Sequence, residues 1–135
     1  ASERGQKKNQ LFYWGNDLVA NNKYMCNTWN SGYPNTIGFQ DGFKYTSPIG
    51  HFEANSLGIF DMAGNVWEWC SDWYHDDYFQ IASKTNPTGP DYGTERVVRG
   101  GSWFSNDVFC DVTRRYKLKP DYRDTNFGFR CVKDL

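Results

Sequence analysis

This chain has to pack rings rather than aliphatic side chains. Its 135 residues carry 6 Trp, 9 Tyr and 10 Phe beside 13 Gly. Leu, Ile and Val are sparse, and helical periodicity is weak throughout. A core of rings held between glycines calls for short strands and long loops whose backbone polar groups are satisfied locally. The length fits one domain, or part of one, over residues 1–135. Rings left partly exposed on such a scaffold would suit recognition.

The elements expected are few. Four strand signals are legible: Leu57 to Asp61 and Val66 to Cys70 on either side of a tight "MAGN", then Arg96 to Trp103, then Asn126 to Val132 with Phe127, Phe129 and Cys131 alternating on one face. Asp76 to Ser83 is the one short helix signal, with an acidic start. Turn-rich loops connect them: "SGYPNTIG", "KTNPTGPDYGTE" and "KLKPDYRDT". The class expected is α+β with low regular secondary structure, a small antiparallel sheet holding long loops. Gly100 and Gly101 fall within a strand signal, so they mark close backbone approach rather than a phosphate loop.

Several function classes drop out. A formal net charge of −1 and a pI near 6.1 give no basis for a nucleic-acid partner. A mean hydropathy of −0.79 and the absence of a long apolar run exclude a transmembrane helix. His51 and His75 lie in separate segments, and no Ser-His-Asp order is readable. Cys26, Cys70, Cys110 and Cys131 lack CxxC spacing, so a zinc knuckle is not expected. Disulfides in an oxidising compartment are expected, with the pairing open. Buried free thiols are the alternative, above all for Cys70.

One metal site is suggested by spacing. "DMAGNVWEW" places Asp61 and Glu68 seven apart across a glycine turn, where the Gly64 and Val66 carbonyls can also reach an ion. A hard cation such as Ca2+ takes that mix of carboxylates and carbonyls. A β-turn with a solvated Asp and a backbone-bonded Glu would give the same spacing. Asn27 and Asp41 bracket a second loop of low apolar content.

The segments "FYWGNDL", "QDGFKYTSPIGHF", "NSLGIFDMAGNVWEWCSDWY", "NPTGPDYGTERVVRGGSW" and "NFGFRCV", with "ASERG" and "NTWNSGYP", run in order along nearly the whole chain. They resemble the formylglycine-generating enzyme family, also called sulfatase-modifying factors. The resemblance implies a C-type-lectin-like fold and two structural Ca2+ sites. One would use the Asn27 side chain, the Thr28 carbonyl, Asp41 and the Phe43 carbonyl. The other would use Asp61, the Gly64 and Val66 carbonyls, and Glu68. It implies that Trp29, Trp67 and Trp69 are core rings and that Arg99 and Arg130 pair with carboxylates. Family domains have a substantial portion ahead of "ASERG", expected here as a separate stretch or chain, and it would hold the partner of Cys131.

The loop "GGSWFSNDVFC" then becomes the point of decision. In the family's enzymes two cysteines five apart bind copper(I) as thiolates and activate O2 to convert a sulfatase cysteine to formylglycine. Cys110 falls on the second of those positions, Ser105 on the first, and the accompanying Ser102 is kept. A protonated hydroxyl is a poor ligand for a soft ion. Phe109 and Asp111 stand where a tyrosine and an arginine are usual. The expectation is therefore a Ca2+-stabilised binding module for a peptide, protein or glycan, secreted, periplasmic or at the cell surface. Its ligand residues would be Phe104, Asn106, Phe109, Asp111, Lys117, Tyr122, Asp124 and Asn126. The alternatives are a copper oxidase using Ser102, Ser105 and Cys110, and a structural subunit of an envelope assembly.

Overall fold

The computed structural model describes residues 10–30 and 39–133; the expected "SGYPNTIG" loop and the "ASERG" motif lie outside them. In chain order the elements are β1 (Val19–Ala20), β2 (Lys23–Tyr24), β3 (Trp67–Trp73), α1 (Tyr78–Ile81), β4 (Arg96–Arg99), a 3-10 turn (Asp107–Cys110), β5 (Tyr116–Leu118) and β6 (Phe127–Gly128). β1 and β2 form a hairpin closed by Asn21 and Asn22, whose φ angles are 52° and 60°. A two-residue loop with both φ positive matches the strand twist, and asparagine tolerates it. The other four strands form one sheet in the order β5-β4-β3-β6.

β3 is the sheet's longest strand, and its sequence "WEWCSDW" explains it: aromatic residues fit a pleated, half-buried surface. It pairs antiparallel with β4, setting Glu68 opposite Arg99 and Trp69 opposite Val98, and the register shifts between Trp69 and Trp73. Val97 and Val98 make β4 the buried centre. The Arg96 guanidinium lies 3.5 Å from the centroid of the Trp73 ring, closing one end of the pair.

The class is the expected one, but several boundaries differ. The sheet is mixed, because β6 runs parallel to β3 with Trp67 opposite Phe127. The strand expected over Leu57 to Asp61 is a turn: the Asn55 side chain accepts hydrogen bonds from the amides of Leu57 and Ile59, and Gly58 has a φ of 75°. β4 stops at Arg99 because Gly100 and Gly101 turn to φ of 94° and 72°. The last strand shrinks to Phe127 and Gly128. Phe129 is exposed, so the expected shared face with Phe127 does not form. The helix keeps only Tyr78–Ile81, where Gln80 hydrogen-bonds back to Asp77.

What joins the loops to the sheet is a crossing at Gly64. Asn27 and Gly64 form an isolated parallel bridge. Gly64 donates to the Gly100 carbonyl at 2.8 Å, and Asn65 donates to the Asn27 carbonyl at 2.9 Å. The Asn65 carbonyl accepts from Trp103, and its side-chain oxygen accepts from the Ser47 amide. Gly64 has φ 73°, and a Cβ there would collide with the Asn27 carbonyl oxygen. Gly64→Ala is therefore expected to destabilise the protein by about 3 kcal/mol, from left-handed strain plus the clash. A urea or thermal melt checks this, and a change within measurement error would contradict the crossing.

Candidate functional site

Behind β4 the chain turns through Gly101 and buries Ser102 completely. The Ser102 hydroxyl oxygen accepts from the Asn126 side-chain amide at 3.0 Å and from the Phe104 amide at 3.3 Å, and lies 2.8 Å from the Ser105 hydroxyl. Ser105 is buried as well; its amide donates to the Ser102 carbonyl, and its carbonyl accepts from Trp29. Asn126 thus ties the last strand to the loop. Among the described residues, neither hydroxyl is hydrogen-bonded to a histidine or a carboxylate. A serine nucleophile needs such a base, so this network positions backbone rather than activating an oxygen. His75 is engaged elsewhere, accepting from the Asp77 amide, and His51 packs on Phe43 and Phe52.

The 3-10 turn that follows is built from its own caps. Asn106 accepts from the Val108 amide, and Asp111 accepts from both the amide and the hydroxyl of Thr113. Both were expected to meet a ligand, and both are committed to the loop's own hydrogen bonds. The turn delivers Phe109 to the buried Trp67 ring, 5.9 Å between centroids. Tyr116 and Phe127 reach the same indole at 5.8 and 6.3 Å, and Tyr122 packs edge-on against Phe127 at 5.3 Å. Tyr116 and Tyr122 remain partly exposed above this bed. The Tyr122 hydroxyl donates to Asp124, which raises the phenol; Asp124 is held below the usual carboxylate range chiefly by the Thr125 amide.

The expected ligand set therefore divides. Phe109, Tyr122, Asp124 and Asn126 gather around Trp67 and Phe127. Phe104 is half exposed on the Trp29 side, 5.4 Å from that ring. Lys117 belongs to neither group: its amine lies 3.8 Å from both Asp76 and Glu95 and over the Tyr74 ring. The sequence reading missed Tyr116 and the role of Trp67 as the bed's floor; the alternation of "VWEWC" was the available signal.

The residues expected to bind Ca2+ fit a hard cation unequally. Asn27 is fully buried, its amide nitrogen donates to the Tyr45 carbonyl, and its side-chain oxygen has no protein partner. Buried acceptors of that kind are rare without an ion or water. Asp41 accepts from the amides of Thr28 and Phe43, the two residues whose carbonyls were expected to join it. Burial pushes the Asp41 carboxyl up against those amides, and a bound cation would offset that cost. In the second group Asp61 also has a buried, unpartnered oxygen, while its other oxygen accepts from Gly50. Glu68 is the carboxylate that Arg130 was expected to pair with: both its oxygens are held by the Arg130 guanidinium, which also donates to the carbonyls of Phe60 and Asp61. Arg99, expected to pair with a carboxylate, instead donates to the Val112 carbonyl. The described residues hold no cluster of three His, Cys, Asp or Glu side chains suited to a metal.

A cavity of about 510 Å3 opens along β3, lined by Glu68, Cys70, Asp72, Arg99, Cys110 and Arg130 among others. Of the expected catalytic and ligand residues it includes only Cys110 and Asp111. All four cysteines are free thiols; Cys26 and Cys110 are buried, Cys70 is half-buried and Cys131 is exposed. Burial raises the Cys70 thiol.

The chain is similar to known proteins over most of its length. The model of the sulfatase-modifying factor enzyme 1-like domain matches residues 1–135. The formylglycine-generating enzyme of Streptomyces coelicolor is 37% identical over 134 residues, 97% of this chain and 43% of that protein. The mouse protein named inactive C-alpha-formylglycine-generating enzyme 2 is 36% identical over 135 residues, 96% of this chain and 38% of its own length. The solved structure of Treponema denticola variable protein 1 superposes with a TM-score of 0.60 at 28% identity, over 78% of this chain and 34% of that one. The chain thus spans less than half the length of these relatives.

The hydroxyl network yields a direct expectation. Ser102→Ala strands the Asn126 amide and the Ser105 hydroxyl in a buried site. It should cost about 1–3 kcal/mol of stability, measured by urea denaturation. A neutral result would show that the network does not hold the loop.

Proposed function

Because the chain belongs to the sulfatase-modifying factor enzyme 1-like family, we propose that it is a Ca2+-stabilised binding domain of that family, recognising a peptide, protein or glycan through the loop after Ser102 and the aromatic bed on Trp67. The observation that carries this is Ser105. Its hydroxyl is buried, bonded to Ser102 and part of the loop's own hydrogen bonding. A two-thiolate copper site spanning positions 105 and 110 lacks one sulfur here. The half-exposed rings of Phe104, Tyr116 and Tyr122 offer contact area with few rotatable bonds, as adaptable binding surfaces do. That one relative is named inactive and another variable fits a scaffold used without the oxidase chemistry.

Ca2+ is proposed at the Asn27, Thr28, Asp41 and Phe43 group, where the unpartnered Asn27 oxygen supports it. A second ion is proposed at Asp61, Gly64, Val66 and Glu68, with Arg130 holding the Glu68 carboxylate in place. Weak oxygen sites of this kind fill where Ca2+ is abundant, which favours a secreted, periplasmic or cell-surface location. No described helix is long and apolar enough to cross a membrane. A copper oxidase is the second reading, favoured by the 37% identity to a named formylglycine-generating enzyme and by the retained Cys110.

Two measurements test these readings. Incubation with copper, O2 and a cysteine-containing sulfatase peptide is expected to leave the peptide unchanged by mass; formylglycine would establish the oxidase. Peptides panned from a display library against this protein should lose at least tenfold in affinity on Tyr122→Ala and keep it on Tyr92→Ala, a tyrosine 86% exposed elsewhere. Equal binding by both variants would remove the aromatic bed from the proposal.

Chelation is a separate prediction. Ions held about 100-fold above their dissociation constant stabilise the folded state by about 2.7 kcal/mol. EGTA should lower the melting temperature on the order of 10 °C, and Asn27→Ala should shrink that difference. An unchanged melt in EGTA would remove the Ca2+ claim.

A further inference from the structure

We propose that Cys26 and Cys110 are a disulfide-forming pair, a redox-closed latch joining the loop that carries Asn27 and Thr28 to the loop that carries Ser105. The two residues are far apart in sequence yet share one buried cluster with Phe12 and Ala63, at 1% and 2% exposure. Gly101 makes the contact possible: a Cβ there would lie 2.7 Å from the Cys110 sulfur. The other two cysteines are placed elsewhere. Cys70 sits on β3 with its thiol 4.0 Å from the Glu68 carbonyl, and Cys131 is exposed.

The chemistry follows from the surroundings. Cys26 is 1% exposed and does not line the cavity, so it is not the thiol that starts the exchange. Cys110 lines the 510 Å3 cavity, as Cys70 does, and is the one of the pair that an oxidant reaches. The oxidant is a small-molecule disulfide such as oxidised glutathione. Cys110 attacks it as thiolate, one glutathione thiol leaves, and a mixed disulfide remains on Cys110. Cys26 then displaces the second glutathione. Two S–H bonds of the protein become one S–S bond, and two electrons and two protons pass to the oxidant, which ends as two thiols. The latch closes a long loop of chain and pins the two segments that flank the buried serine network. The latch does not depend on the binding-domain reading, and when closed it leaves Cys110 without the thiolate that the copper reading needs.

Peptide mapping tests it. The protein is held in excess oxidised glutathione or in dithiothreitol, then denatured, alkylated and digested. After oxidation, the Cys26 and Cys110 peptides should appear as one linked species, two hydrogens lighter than their sum, and separately after dithiothreitol. The oxidised protein should melt about 5–10 °C higher than the reduced one, and Cys26→Ser and Cys26→Ala should both lack that increment. Alkylated Cys26 and Cys110 after oxidation, or linkage through Cys70 or Cys131 instead, would overturn the pair. So would stoichiometric Cu(I) capture by the reduced protein that needs both Cys26 and Cys110 and prevents the linkage, which would make the pair a soft-metal site.

Discussion

The backbone crossing of Asn27 and Gly64 is the constraint on which the rest of the structure depends. A sheet this small cannot organise long loops by itself. The crossing substitutes for a larger sheet by bringing the Asn27 segment, the turn before β3 and the segment after β4 within hydrogen-bond reach of one another. Asn65 extends it in two directions, to Trp103 through its carbonyl and to Ser47 through its side chain. Only a residue without a Cβ permits the approach, because any side chain at 64 would occupy the space of the Asn27 carbonyl.

Both candidate chemistries are set by that junction. Asn27 presents its unpartnered oxygen from one side of it, and Asp61 and Glu68 approach from the turn on the other. On the far side, Trp103 leads into Ser102 and Ser105, whose hydroxyls are satisfied by each other and by Asn126. A hydroxyl in that position is small, neutral and hydrogen-bonded, and it keeps the loop's shape without supplying a sulfur ligand. The aromatic bed on Trp67 then becomes the accessible feature beside the loop, with Tyr116 and Tyr122 at its edge.

The parts legible in the sequence were those carried by local chemistry. "VWEWC" announced the first half of a strand that runs on to Trp73, Gly100 and Gly101 announced close approach, and the Asp61–Glu68 spacing marked a turn with oxygens to offer. The misreadings were also local in origin. "LGIF" has strand-forming residues, but Asn55 caps the turn and Gly58 bends it. Phe129 alternates with Phe127 in sequence, yet β6 ends after two residues because its pairing with β3 ends. Asn106 and Asp111 look like adaptable ligand contacts, and one oxygen of each also caps the loop, which their spacing did not reveal.

The sequence by itself determined a ring-packed, loop-rich domain of this family and a hydroxyl at position 105 in place of a thiol. Composition and residue identity decide those, since neither depends on what lies across the fold. Only the tertiary structure decided that Arg130 holds both oxygens of Glu68, that Lys117 turns to Asp76 and Glu95, and that Cys26 meets Cys110. Each of these joins residues from segments far apart along the chain, and no local periodicity encodes a contact that exists only once the backbone has crossed itself.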